Sequence, residues 1–409
     1  MTCRHCGKPL SSQFIDLGAT PLSNAYLTSD AMTGDEHKYP LRLYVCENCW
    51  LVQTEDFAGS RDIFQDDYAY FSGFSSSWVK HCSGFVEYAR ERFNLNEGSF
   101  AVEIASNDGT LLQFFKEYRI PCLGVEPTNS TASAARSRGL EVIEDFFGEE
   151  LAGAILKGNR SADFIVANNV IAHVPDINDF TSGLRILLKP EGVVSCEFPY
   201  LVNLVRMNQF DTIYHEHYSY FSFSSINRIF CANGLEIFDV EHIPTHGGSL
   251  RVFASRTDKA SFVRSENVTA IQRDEELIGV ESPSFYRSFQ KKAETVRNEL
   301  RSFLDGCLAR EMKIAAYGAA AKGNTLLNYS GIDVRTIPYV VDRNPWKQGK
   351  FLPGSRIPIV SDGVLSEEKP DIILILPWNL KDEIMMQLDY TRNWGAKFVT
   401  AIPGLVLHD

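Results

Sequence analysis

Tyr214-His215-Glu216-His217-Tyr218 places two imidazoles, a carboxylate and two phenols in five consecutive positions. Histidine titrates near neutrality, and an adjacent acid or phenol can orient it or tune it, so the run suits general acid–base work. It lacks the HExxH spacing by which two helical histidines share zinc with a glutamate base. His173 follows Asn168 and Asn169, a second polar group whose amides could meet a substrate or the methionine part of a cofactor. Further polar runs are Asp67–Ser72, with Tyr68 and Tyr70, and Thr245-His246-Gly247-Gly248-Ser249.

A different chemistry stands at the amino terminus. Cys3-x-x-Cys6 and Cys46-x-x-Cys49 are two pairs at the spacing that lets both thiolates reach one tetrahedral ion. Together they complete a closed four-thiolate zinc site with no position for water or substrate, so its metal is structural. The 39 residues between the pairs must fold as a small module. The other cysteines are scattered, and an odd total of nine without a secretory signal argues against a disulfide framework.

The elements that must position these groups follow from the hydrophobic pattern. From about residue 98 to 256 strand-like runs alternate with helix-length segments: 100–105, 122–125, 141–143, 164–167 and 193–198. That alternation predicts a doubly wound parallel sheet, and runs 235–240 and 249–254 without a helix between them predict an antiparallel finishing pair. Glu103-Ile104-Ala105-Ser106-Asn107-Asp108-Gly109 sits where the first strand gives way to a helix, the ligand edge of such sheets. Glu126-Pro127 ends the second strand, where an acid can accept from both ribose hydroxyls.

Missing phosphate-cradling glycines disfavour NAD there. S-adenosylmethionine (SAM) needs only a small-residue turn, a ribose acid and an adenine slot, and Asp145-Phe146-Phe147 could form that slot. The block therefore resembles a class I SAM-dependent methyltransferase. Cofactor contacts are expected from Glu103, Ala105, Ser106, Asn107, Gly109, Glu126, Pro127, Asp145, Phe146, Phe147 and Asn168.

Apolar positions Phe285, Phe289, Ala293, Val296, Leu300, Phe303 and Leu304 recur at helical spacing and predict a long linking helix. Beyond it, runs 313–317, 336–341 and 371–376 predict a second, smaller Rossmann-like α/β unit. Tyr317–Thr325 opens a helix with small residues, backbone amides and Lys322, which suits a diphosphate. Asp342-Arg343-Asn344 and Pro377-Trp378-Asn379 end the neighbouring strands, so three polar turns converge on one edge. The expected division is 1–60 zinc-binding, 61–280 SAM-binding, and 281–409 linker helix plus a second α/β unit with the diphosphate pocket.

Composition fits this α/β reading. The 409 residues are 44% hydrophobic and 22% charged, which suits globular domains. A formal charge of −12 would repel a polyphosphate backbone, against nucleic acid as partner. No apolar run approaches the ~18 residues of a membrane span, and no apolar signal core opens the chain, so a cytoplasmic protein is expected, compatible with a monomer.

The four-cysteine knuckle, Glu103–Gly109, Tyr214–His217, His246-Gly247-Gly248 and Tyr317–Asn328 together resemble the SAM-dependent nucleotide-sugar C-methyltransferases, notably the C-3 enzymes of the tetronitrose type. The strings YGAAAKGNTLLNY and PWNL are specific, and the likeness covers essentially the whole chain in one domain order. It implies methylation at carbon, usually C-3 and in some relatives C-5, of a dTDP-, GDP- or CDP-linked 4-keto-deoxysugar. In that family the histidine matching His217 takes the proton beside the ketone, and the enolate receives the methyl. Residues matching Tyr214, Glu216 and His173 surround the sugar, and Lys322 lies by the diphosphate. Asn169, His246, Asn324, Asn328, Asp342, Trp378 and either Tyr68 or Tyr70 complete the expected acceptor contacts. Two rival readings are an NAD(P)-dependent nucleotide-sugar oxidoreductase and a nucleic-acid-binding zinc ribbon. Asp35, Glu36 and Glu47 in the knuckle weigh against the second.

Overall fold

The computed structural model describes all residues except 56, 58–70, 260–261 and 409, so Tyr68 and Tyr70 lie outside the described residues. Three sheets organise the chain. The first contains β1 (Ser12–Thr20), β2 (Tyr39–Val45) and β3 (Val52–Thr54), all antiparallel. Alternation in β2 sends Leu41, Leu43 and Val45 inward, as a half-buried strand requires. They pack in one core with the helix Phe289–Leu308, on which Phe14 stacks through Phe289 at 4.6 Å.

The middle sheet is built from β4 (Ala101–Ile104), β5 (Cys122–Val125), β6 (Val142–Ile143), β7 (Ala162–Asn168) and β8 (Leu188–Pro199). After β9 (Ser219–Tyr220), which lies elsewhere, β10 (Leu235–Ile243) and β11 (Ser249–Arg256) finish it. Numbered within the unit, its strands run 3-2-1-4-5-7-6, and only the last in sequence, β11, is antiparallel to its neighbours. That is the class I SAM methyltransferase arrangement expected from the sequence. Its strands read as continuous apolar runs because helices cover both faces. Ser75 and Asp176 cap the helices Ser76–Arg92 and Ile177–Leu187 by accepting from the backbone of their first turns.

The third sheet holds β12 (Ile314–Tyr317), β13 (Val340–Val341), β14 (Ile359–Val360), β15 (Ile372–Ile375), β16 (Lys397–Thr400) and β17 (Val406–His408). Its order is 3-2-1-4-5-6, with β17 antiparallel, a Rossmann-like unit.

One local expectation is corrected, and one element goes beyond the sequence pattern. The linking helix does not run unbroken from Phe285: Ser282 caps a four-residue turn, Pro283–Tyr286, and the long helix starts at Phe289. Proline pre-set for a first helical turn explains that separate start. The short segment after Tyr218, which shows no strand period in the sequence, is a strand. Ser219 and Tyr220 pair with Gln53 and Val52, so β9 becomes the fourth strand of the first sheet. Among the described residues no helix is long and apolar enough to cross a membrane.

Candidate active site and metal centre

The ligand atoms of Cys3, Cys6, Cys46 and Cys49 all lie within 4.8 Å of one another. The closest pairs are Cys3–Cys49 at 3.4 Å and Cys6–Cys46 at 3.5 Å between sulfurs. Zn–S bonds of about 2.3 Å set tetrahedral sulfurs about 3.8 Å apart, so the four thiols fit zinc with small adjustments. One turn is used twice. The carbonyl of Cys3 accepts from Gly7 N–H, and that of Cys46 from Trp50 N–H, both donors sitting at positive φ (69° and 61°).

At the carboxyl edge of β4 the chain turns through positive φ at Ala105, Asn107 and Gly109. A side chain at Gly109 would meet Leu140 at 2.2 Å, so only glycine fits. Glu126 is buried; it accepts from Asn107 N–H (2.9 Å) and from Thr128 N–H and hydroxyl, with Pro127 between. Glu103 Oε2, Ser106 Oγ, both side-chain polar atoms of Asn168 and Asn169 Oδ1 are buried without a hydrogen-bond partner among the described residues. Buried polar atoms are ordinarily satisfied, and such a concentration marks a crevice shaped for a ligand. Burial, with Asp108 and Glu126 nearby, pushes the Glu103 carboxyl well above its usual range. These acids suit a cation, and SAM carries a sulfonium and an ammonium. The residues present fit SAM.

Not every expected cofactor contact faces this crevice. Asn107 Oδ1 accepts from Ser72 N–H (2.9 Å), while Asp108 accepts from Gly73 N–H, Thr110 and Arg138. The aromatic slot is also narrower than expected. Asp145 is exposed and accepts from Phe146 N–H, and Phe147 turns inward to meet Phe180 edge to face, ring centroids 5.6 Å apart. Only Phe146, 39% exposed, remains as an outer wall.

Opposite lies a cluster of rings. His217 Nδ1 is 3.1 Å from the Thr212 carbonyl, which can only accept, so Nδ1 carries the proton and Nε2 the lone pair. His173 Nδ1 likewise donates to the Glu216 carbonyl at 2.8 Å. The two imidazoles are 4.6 Å apart, and Tyr214 lies 4.1 Å from His217. Burial pushes His173 down to about 4 and His217 well below its ordinary value, with His173 itself the next cause for His217. Both rings are therefore neutral near pH 7. His215 points elsewhere, toward the carbonyls of Tyr39 and Pro40 in β2, so the three acid–base residues of the run do different work. Both oxygens of Glu216 accept from Asn24 Nδ2, at 2.7 and 2.8 Å.

The third sheet contributes from above. Lys322 is lowered by burial and partly restored by Asp211; its Nζ donates to Asn379 (2.6 Å) and lies 5.0 Å from the Trp378 ring. Trp378 Nε1 donates to Asp211 Oδ2 at 2.8 Å, and Asp211 Oδ1 is buried without a partner. Burial raises Asp211 to about 6. His246, at φ 56°, is held down to about 4 by burial and then by the Lys322 charge, which also depresses His217. Gly247 touches Trp378 so closely that a Cβ would lie 2.4 Å from its ring.

The structure thus gathers His173, Tyr214, His217, His246, Lys322 and Trp378 in one neighbourhood. Asn324, Asn328 and Asp342, expected as acceptor contacts, also hold bonds within the chain, while Asn324 Oδ1 is buried with no partner among the described residues. Asn324 donates to the Ser23 carbonyl (2.6 Å), and Asn328 to those of Asn324 and Pro353. Asp342 accepts from Ala319 and Asn344 N–H, both at 2.8 Å. Pro377 fills the space beside Gly318, 2.4 Å from where its Cβ would be, so this turn is less open than expected for a diphosphate. Sequence reading missed Asp211 and Asn24. An acid inside the otherwise apolar and polar-neutral run 209–213 is the available signal for Asp211; Asn24 lies in the stretch Pro21-Leu22-Ser23-Asn24, which carries none.

Three family models match the chain: "Putative zinc binding domain" over residues 3–64, "Methyltransferase domain" over 80–240 and "C-methyltransferase C-terminal domain" over 244–403. C-methyltransferase NovU of Streptomyces niveus is 35% identical over 402 residues, covering 98% of this chain and 95% of its own. Among solved structures, magnesium protoporphyrin IX methyltransferase (ChlM) from Synechocystis PCC 6803 with bound SAM has a TM-score of 0.37 at 14% identity, covering 50% of this chain and 100% of its own. A SAM-dependent methyltransferase from Clostridium acetobutylicum ATCC 824 scores 0.35 at 14% identity, covering 44% and 92%. At such scores neither structural likeness bears on the reading.

Proposed function

The chain belongs to the SAM-dependent C-methyltransferase family, and from that premise we propose that its acceptor is a nucleotide-linked 4-keto-deoxysugar, methylated at C-3, with His217 as the base. The observation that carries this is the fixed tautomer of His217, whose neutral Nε2 lone pair sits within the ring cluster. An isolated C–H is far too weak an acid for imidazole. A neighbouring ketone spreads the developing charge onto oxygen and brings the proton within reach of a base tuned by its surroundings.

Glu103, Ser106, Asn168 and Glu126 would hold SAM, which when bound would supply an electrophilic methyl group. His217 takes the proton, and its Nδ1–H stays anchored on Thr212. His173, Tyr214 and Glu216 confine the sugar between them. Lys322 gives the acceptor's anionic part a positive partner, and this has a second effect. Its charge depresses His217, so a diphosphate that neutralises Lys322 makes His217 more basic when the acceptor is in place. We keep the division at residues 1–60, 61–280 and 281–409, with the Lys322 and Trp378 turns of the last unit facing the nucleotide.

The test is incubation with SAM and a panel of dTDP-, GDP- and CDP-linked 4-keto sugars, read by mass spectrometry and by NMR of the methylated position. A new methyl on C-3 supports the reading, and one on C-5 overturns the position while keeping the enolate chemistry. Methyl on oxygen or nitrogen, or no turnover of any keto sugar, overturns it.

A further inference from the structure

The four-cysteine unit looks remote from the chemistry, yet one of its loops runs into the ring cluster. Asn24 sends its amide nitrogen to both Glu216 oxygens, at 2.7 and 2.8 Å, across 192 residues of sequence. The same loop is held from the other side by the third sheet. Asn324 donates to the Ser23 carbonyl at 2.6 Å, and Tyr26 donates to the Ala319 carbonyl at 2.7 Å and lies 3.3 Å from Asn24 Oδ1. Lys347 covers the Tyr26 ring at 5.4 Å. Below, β9 joins the segment after His217 to β3, the strand that follows the second cysteine pair. Ser23 and Glu216 are both buried.

We infer that Asn24 is a positioning residue of the methyl-transfer site: the metal module sets the placement of Glu216 beside the acceptor. The inference rests on the reading of Glu216 as a sugar-facing group. Its physical content is narrower. An amide NH2 placed between two carboxylate oxygens fixes the rotation of the carboxylate plane. Without that donor the carboxylate turns toward other partners, and a misplacement of about 1 Å near a reacting centre can cost about 100-fold in rate. The wedge also links the cysteine unit to catalysis without any metal–substrate contact.

The test compares full-length wild type, Asn24→Ala and Tyr26→Phe, each checked for one zinc per chain and an unchanged thermal melt. The expected result is a fall in turnover of about 10- to 100-fold for Asn24→Ala with KM for SAM unchanged, and a smaller fall for Tyr26→Phe. A parallel arm needs no acceptor. The infrared difference between wild type and Glu216→Gln isolates the Glu216 carboxylate bands, and Asn24→Ala is expected to shift them. Unshifted bands, or unchanged turnover in a metal-replete Asn24→Ala enzyme, overturn the inference. Loss of zinc in that variant while Tyr26→Phe keeps full turnover would reduce Asn24 to a structural role and also overturn it. Wild type inactive on every keto sugar, with the bands shifting as expected, would sink the acceptor reading and leave the Asn24–Glu216 coupling standing.

Discussion

The middle and carboxyl-terminal sheets share the order 3-2-1-4-5 and diverge at the crevice where that order reverses. In the middle sheet the crevice is lined by polar atoms with no protein partner: Glu103 Oε2, Ser106 Oγ and both ends of Asn168. In the other sheet several groups at the same edge are already paired. Asp342 accepts from Ala319 N–H, Lys347 reaches the Ala319 carbonyl, and Pro377 packs on Gly318. The same topology therefore makes a receptor in one place and a prop in the other. Which it becomes depends on whether local side chains satisfy the edge themselves. Lys322, buried beside Asp211 and Trp378, is the point at which the closed sheet still presents charge to the site.

The sharpest way to probe this contrast is at the open edge's opposite wall. His217→Ala is expected to lower methyl transfer by roughly 1,000-fold and to abolish solvent deuterium exchange at the carbon beside the ketone, followed by NMR. Exchange at the wild-type rate would assign the base elsewhere. Next, Lys322→Ala should raise KM for the sugar nucleotide by about 10- to 100-fold, the scale of a lost charged hydrogen bond, while KM for SAM moves little. Equal effects on both would break the distinction between the two edges.

Glu103 gives a pH-dependent test. Its folded-state carboxyl is raised by burial and by Asp108 and Glu126, so the ligand-free fold holds a proton that the unfolded chain releases near pH 4.3. Its contribution to ligand-free stability is therefore complete below that value and is lost as pH rises toward the folded value. A bound cation favours the ionised form, so SAM affinity should rise over the same window. Glu103→Gln should flatten both trends and stabilise the ligand-free protein at pH 7 by about 1–3 kcal/mol, read by denaturant melts and calorimetric titration. The smallest effect is expected at the closed edge. Asp342→Asn should lower stability by about 1 kcal/mol and leave KM for SAM unchanged.

Both sheets and the cysteine cluster were legible in the sequence because periodicity and CxxC spacing are local signals. So was the open edge, since the turn at Ala105–Gly109 and the acid at Glu126 follow directly from strand ends. Illegible were relations made across distance. Nothing near Asn24 announces a carboxylate 192 positions away, and a two-residue strand such as Ser219–Tyr220 has no period to detect. The run Tyr214–Tyr218 showed its chemistry but not its division of labour. His215 and His217 point to different partners because a turn, and neither a helix nor a strand, sets their directions. Asn324, expected beside the acceptor from the family resemblance, also ties its helix to the amino-terminal loop through the Ser23 carbonyl, a bond no local pattern announces.

The edge pairing of Ser219–Tyr220 with β3 has a practical consequence for anyone who would transplant this catalyst. A fragment trimmed to the central sheet would keep the crevice for the methyl donor but strand the histidine segment without its neighbour. Grafts that aim to redirect carbon alkylation must carry the amino-terminal knuckle along, as one inseparable cassette.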